Sequence, residues 1–228
     1  MALAVLPADG RPDERLDAFS TLPKSTLHRL THLCDQGGEV AAQAALAQLS
    51  LAAGLYAGPV QGTKSLPEYG AWTPETGSTS AECSTDKPLI VLSFYRSYLV
   101  SADLDPVKSL FNAFRNKGYE VLGLFAPSLK APKASEWLEA QIKDLSPAAI
   151  VNLTAFSGKG NAGSSPLDAA GVPVFQVALA TSDRKSWAEA ERGLSPADLA
   201  MHVVLPEVDG RIFAGVSSFK EAGECDAV

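Results

Sequence analysis

From Lys87 onward the chain alternates short apolar runs with amphipathic stretches, and this alternation restricts the possible folds more than any other feature. An apolar run of about four to eight residues suits a strand buried on both faces, and a stretch with helical apolar spacing suits the crossover a parallel neighbour requires. The reading is an α/β fold: a parallel-sheet, flavodoxin/Rossmann-like domain over residues 87–228, preceded by a helical amino-terminal segment. PLIVLSFY (residues 88–95) reads as the first strand, and residues 106–116 as a helix with Val107, Leu110, Phe111 and Phe114 as its apolar stripe, ended by Gly118. EVLGLFA (120–126), AAIVNLTAF (148–156) and VPVFQVAL (172–179) read as further strands, and residues 135–145 as a second helix with Trp137, Leu138 and Ile142 inward. Two short helices over 186–192 and 196–201 precede HVVLPEVDGRIF (202–213), which reads as a last apolar strand.

Upstream, residues 12–56 read as helical because apolar positions recur at helical spacing through Leu27, Leu30 and Leu33 and later Leu46 and Leu49, with Gly37 and Gly38 separating two helices. Residues 57–86 hold four glycines, three prolines and many serines and threonines without apolar periodicity. They read as an extended linker or surface loop that Tyr69 and Trp72 can tack onto a neighbour. The 228 residues suffice for one or two domains, and 46% hydrophobic against 20% charged residues excludes wholesale disorder. Nineteen basic against 26 acidic residues leave a net charge of −7, which repels a polyanion, so nucleic acid is not the expected partner. Cys34, Cys83 and Cys225 are odd in number and widely spaced, and the first residues lack the basic start and apolar core of an export signal. The alanine-rich run over 40–56 is broken by Gln43, Gln48, Ser50 and Gly54, so no membrane span is expected, and the cytoplasm is the expected location.

Familiar chemical motifs fail on inspection. The loop SGKGNAGSSP (157–166) follows a strand, where open α/β sheets place ligands, but Lys159 is followed by Gly160 rather than Ser or Thr, so it is not a Walker loop. Gly158, Gly160 and Gly163 match G-x-G-x-x-G with Asp183 at a plausible ribose distance, yet Pro166 leaves little helix behind them; an anion site using Lys159 stands beside a simple surface connection. His28 and His32, four apart on a helix, form a possible metal pair without a third ligand, and no metal site is assigned. No Ser lies in G-x-S-x-G, and Cys34 is two residues from His32, a spacing that points the two apart on a helix.

Polar residues at strand ends are the better candidates. Arg96 follows the first strand directly and so stands at the ligand-facing rim, which Asn152, Thr154 and Gln176 approach from neighbouring strands. Each is polar within an apolar run and needs a partner, either ligand or loop. Glu207, Asp209 and Arg211 alternate, so an extended segment would put all three on one face near Lys220, able to bind a polar ligand or to form a salt-bridged turn.

The series PLIVLSFYR, SPAAIVNLTAFSG, PLDAAGVPVFQVAL, SWAEAERGLSPADLAMHVVLPEVDGRI and SSFK resembles the CobN-type large subunits of cobaltochelatase, relatives of the H-type large subunits of magnesium chelatase. GLSP, the run from Met201 to Arg211 and SFK are the most specific pieces, and RPDERL and STLP match the family's early segment. The resemblance implies ATP-dependent insertion of cobalt into a corrin, hydrogenobyrinic acid a,c-diamide, in cobalamin synthesis. The large subunit would hold tetrapyrrole and metal while two smaller subunits supply the ATPase, so cobalt and ATP are expected for the complex and none for this chain alone. Family members are several times longer, which makes this chain an expected amino-terminal portion. LPEVDGR favours the cobalt over the magnesium branch, in which magnesium enters protoporphyrin. Arg96, Asn152, Thr154, Gln176, Glu207, Asp209 and Arg211 are the expected tetrapyrrole contacts, with catalytic residues unassigned. A noncatalytic α/β docking module and a stand-alone nucleotide-binding protein are the alternatives.

Overall fold

Leucines three apart shape the first long element. Leu27, Leu30 and Leu33 are buried along one side of α2 (Lys24–Gln36), which follows a single turn, α1 (Glu14–Asp17), and precedes α3 (Glu39–Ala52), where Ala41 is buried. Gly37 and Gly38 make the corner between α2 and α3, as the sequence suggests. Gly37 sits at φ +64°, and a Cβ there would fall 2.2 Å from a methyl of Val100, so both conformation and space demand glycine. These helices belong to one of two units of the computed structural model, residues 1–67 with 97–103; the other is residues 68–96 with 104–228. The structure describes residues 2–7, 13–59, 66–81, 86–160 and 163–221; Cys83, Cys225, Asn161 and Ala162 lie outside them. No described helix is long and apolar enough to cross a membrane.

The second unit is an α/β sheet of seven strands. Its elements run β1 (Gly70–Thr73), β2 (Gly77–Thr79), β3 (Leu89–Tyr95), α4 (Arg96–Val100, which passes into the first unit), α5 (Asp105–Asn116), β4 (Glu120–Ala126), α6 (Pro132–Leu145) and β5 (Ala149–Asn152). A 3-10 turn (Pro166–Ala170), β6 (Val174–Leu179), α7 (Arg184–Glu189), α8 (Pro196–Leu199), a π turn (Ala200–Val204), α9 (Leu205–Val208) and β7 (Ile212–Ser218) complete it. The spatial order is β2-β1-β4-β3-β5-β6-β7, with β4, β3, β5, β6 and β7 parallel. Counted from β3, the five parallel strands stand in the flavodoxin order, and the carboxyl ends of β3 and β5 flank the switch point where connections depart in opposite directions.

Period-two alternation sorts the sheet's side chains. One face carries Leu89, Val91, Leu122, Leu124, Ile150 and Val174 against Ala134, Leu138 and Ile142 of α6 and Leu167 of the 3-10 turn. The opposite face carries Phe94, which meets Phe125 at 6.1 Å between ring centroids, and Trp72 closes edge-on against Phe94 at 5.7 Å and Phe111 of α5 at 5.9 Å. Trp72 also corrects the expectation for residues 57–86: β1 and β2 form a hairpin there, and β1 pairs antiparallel with β4. Two short strands with one buried indole leave no period for a sequence reading to find, although Tyr69 does stack on Trp137 at 5.4 Å.

A second correction concerns residues 202–213. The strand starts only at Ile212, because residues 200–208 continue α8 through the π turn into α9. Pro206 lies within this continuous run and supplies no N–H to it, and the Met201 carbonyl one turn earlier accepts instead from the Phe156 N–H. The third strand is also shorter than expected, ending at Asn152, since Asn152 and Thr154 turn the chain with their side chains.

Phe111 is 1% exposed and bridges α5 to the hairpin. Phe111→Ala is expected to lower stability by about 3–5 kcal/mol, read from the urea midpoint of the whole chain.

Candidate functional site

The register of the sheet places Ser93, Asn152 and Gln176 side by side in one row across β3, β5 and β6. All three are 1% exposed or less, so each must find its partners within the protein. The Asn152 amide donates to Gln176 Oε1 at 2.7 Å and to the Thr154 carbonyl at 3.1 Å, while the Thr154 hydroxyl donates to Asn152 Oδ1 at 3.0 Å. Gln176 Nε2 donates to the same Thr154 carbonyl at 2.9 Å. The chain leaving β5 is therefore bent over the strand ends by amide side chains.

Arg211 extends the network. Its Nη1 donates to Gln176 Oε1 at 3.2 Å and to the Phe156 carbonyl at 3.3 Å, and its Nη2 lies 2.9 Å from Asp209 Oδ2. The two side chains of this ion pair are 2% and 0% exposed. Asp209 also accepts from the Ser157 hydroxyl and the Gly158 N–H, both at 2.6 Å, and the Lys159 ammonium donates to the Val208 carbonyl at 2.9 Å. Burial pushes the Arg211 guanidinium down from its usual value, against the opposing charges of Asp209 and Asp168. A Cβ at Gly158 would meet Arg211 Nη2 at 2.4 Å, so the close approach of loop to guanidinium requires glycine.

Phe156 stands where the network reaches the surface. Its backbone is left-handed at φ +66°, uncommon for an aromatic residue, and is held on both sides: its N–H donates to the Met201 carbonyl at 2.8 Å while its carbonyl accepts from Arg211. Its side chain is 49% exposed. Beside it the Tyr95 hydroxyl, at the end of β3, donates to the Ala155 carbonyl at 2.8 Å, and burial raises the Tyr95 pKa. Arg96 opens α4 immediately after and is half-buried.

Of the seven residues expected at the rim, the structure joins Asn152, Thr154, Gln176, Asp209 and Arg211 in one buried network. It leaves Glu207 exposed on α9, because the segment carrying the last three is helical before Asp209 rather than extended. Sequence reading passed over Phe156, whose strained backbone has no sequence signal, and Asp198. Asp198 is fully buried and accepts from Thr181 and Ser195, and the S-x-x-D spacing from Ser195 was a legible capping sign. His202, in the π turn, is 5% exposed, and burial lowers its pKa against the pull of Asp198. His28 and His32 are both exposed on α2, and among the described residues no group of three His, Cys, Asp or Glu is arranged to hold a metal. Lys159 is engaged within the protein, while Ser165 and Asp168 form a capping box on the 3-10 turn rather than a phosphate cradle.

A flavodoxin-ordered sheet with a buried polar clamp at its switch point defines an α/β module. A sequence model described as CobN/Magnesium Chelatase matches residues 24–228, and the chain belongs to that family. It is 34% identical over 243 residues to the aerobic cobaltochelatase subunit CobN of a Sinorhizobium species and 31% identical over 241 residues to that of Pseudomonas aeruginosa, covering 99% of this chain and 19% of each relative. The H-type magnesium-chelatase subunit of Cereibacter sphaeroides is 30% identical over 168 residues, covering 65% of this chain and 14% of that protein. The catalytic subunit of cobaltochelatase from Mycobacterium tuberculosis superposes with a TM-score of 0.69 at 25% identity, covering 93% of this chain and 18% of that one. The chain thus spans about a fifth of the length of these cobaltochelatase relatives.

Asp209→Ala leaves a buried guanidinium without its counter-charge and is expected to cost about 3–5 kcal/mol. Asp209→Leu combined with Arg211→Met should recover most of that loss in urea unfolding; recovery of none would show that the pair does not act as a unit.

Proposed function

We propose that this chain is the amino-terminal portion of a cobaltochelatase large subunit and that the carboxyl ends of β3 and β5 form part of its tetrapyrrole cleft. The observation that carries this reading is Phe156: an exposed aromatic residue held in a strained backbone conformation at a topological switch point, next to the Ala155 carbonyl that accepts from Tyr95, with Arg96 following Tyr95 in the chain. A flat macrocycle is matched by an aromatic face, and its carboxylate or amide substituents are matched by a guanidinium such as Arg96. In this reading the buried clamp of Asn152, Thr154, Gln176, Asp209 and Arg211 shapes the rim and Phe156 and Arg96 touch the ligand. Exposed Glu207 remains available as a polar contact.

The substrate expected from the family is a corrin, hydrogenobyrinic acid a,c-diamide, into which the complex inserts cobalt. Macrocycle protons must leave as the metal enters, and a carboxylate such as Glu207 is a suitable acceptor. ATP is consumed by separate partner subunits in this scheme, and cobalt is a substrate of the assembled enzyme. The names of the relatives divide between cobalt and magnesium, and the higher identity and fuller coverage of the two CobN subunits favour cobalt.

A docking module that contacts partner subunits is the second reading, favoured by the burial of five of the seven rim candidates. Titration of the purified chain with the corrin, followed by its absorbance, separates the two. Saturable binding that Phe156→Ala weakens by about tenfold, or roughly 1.4 kcal/mol, supports the cleft. Absence of any saturable change overturns it in favour of docking.

A further inference from the structure

The run from Met201 to Arg211 grips Phe156 at both of its ends. The Met201 carbonyl accepts the Phe156 N–H at 2.8 Å, and Arg211 Nη1 donates to the Phe156 carbonyl at 3.3 Å. The second grip is a charged side chain. The first is a main-chain carbonyl inside a helical run, where carbonyls are ordinarily taken by the N–H four residues further on. Something in the run must release it.

Positions 205 and 206 do so. In the α register the Met201 carbonyl would accept from the N–H of Leu205, but that N–H is given to Ala200, five residues back, as the π turn requires. In the π register its donor would come from position 206, and Pro206 has no N–H. Proline also favours the wider turn, because in an unbroken α-helix its ring would meet the carbonyl of His202, four residues back. Packing acts in the same direction: Asp198, His202 and Pro206 are four apart and all buried, whereas an α-helix rotates each such step by about 40°. The extra residue in the π turn brings them back toward one side. Pro206 serves the far grip as well, since its carbonyl accepts from the N–H of Asp209 at 3.0 Å and from that of Arg211 at 3.3 Å.

We propose that Pro206 is a positioning residue for the rim: by withholding an N–H from its own helix, it leaves the Met201 carbonyl to Phe156 and so pins the left-handed backbone of that residue at φ +66°. The proline ring need touch neither Phe156 nor a ligand. A substitution that suits the helix better is therefore expected to loosen the rim. That Phe156 then meets a tetrapyrrole rests on the cleft reading above; the pinning of its backbone does not.

The whole chain is compared in three forms: unaltered, Pro206→Ala, and with an α-hydroxy acid at position 206, whose ester oxygen replaces the N–H without restoring the ring. Amide exchange is followed by NMR at Phe156 and at Val91 in the middle of β3. Pro206→Ala supplies a donor that competes for the Met201 carbonyl, and it is expected to speed exchange at Phe156 about tenfold while Val91 keeps its rate. The hydroxy acid has no N–H to offer and is expected to leave Phe156 at the unaltered rate. An unchanged Phe156 in Pro206→Ala overturns the proposal, as does equal acceleration at Phe156 and Val91, which marks a general loss of stability. Fast exchange at Phe156 with both replacements also overturns it, since the ring and not the missing donor is then what matters. Titration with the corrin judges the cleft separately. If the unaltered chain binds, Pro206→Ala is expected to weaken binding about tenfold and the hydroxy acid to leave it unchanged. A chain that binds no corrin removes the cleft reading, and Pro206 still stands or falls on the exchange at Phe156.

Discussion

The ion pair between Arg211 and Asp209 is the constraint on which the carboxyl end of the sheet depends. Two opposite charges at 2.9 Å, with side chains 2% and 0% exposed, have lost nearly all their water, and attraction alone does not offset that loss. The surrounding donors and acceptors supply part of the remainder: Ser157 and Gly158 donate to the carboxylate, while Gln176 and Phe156 accept from Nη1 of the guanidinium. Gly158 cannot carry a side chain because the guanidinium fills its place, and Phe156 takes up a left-handed backbone because its N–H and carbonyl are both claimed. A loop after a strand is ordinarily the most mobile part of an α/β sheet; here it is anchored by charge.

That anchoring gives the proposed cleft a physical basis. A rim that receives a rigid macrocycle benefits from being formed in advance, because ordering a loop on binding subtracts from affinity. The residues that do the ordering lie beneath the surface, and the residue they display, Phe156, is apolar and flat. In the proposed cleft the polar groups shape the rim and the aromatic ring presents it.

Much of the architecture was legible in the sequence because it follows from period. LIVLSFY, EVLGLFA and VFQVAL are runs that only a two-sided sheet can bury, and the stripe of Val107, Leu110, Phe111 and Phe114 admits only a helix. The stretch from 202 to 209 misled because its inward residues are His202, Pro206 and Asp209. Their spacing of four and then three is helical, but two of the three are polar, so the apolar residues between them imitate a strand. Within the candidate site, the identities of Asn152, Gln176, Asp209 and Arg211 stood out as polar residues next to apolar runs. Their pairing with one another did not, since register between strands from distant parts of the chain is written in packing and not in local spacing. Phe156 was hidden for the same reason: its strain is imposed by Met201 and Arg211, about fifty residues away.

If the buried pair holds the loop as firmly as the core holds the sheet, the loop's own amides must carry the protection of the core. Native-state exchange of the Gly158 amide, which donates to Asp209 at 2.6 Å, tests this most directly. This proton is predicted to exchange only with global unfolding, at the same free energy as the central amides of β3 such as Val91. Exchange at the rate of an exposed loop, while Val91 stays protected, would contradict it.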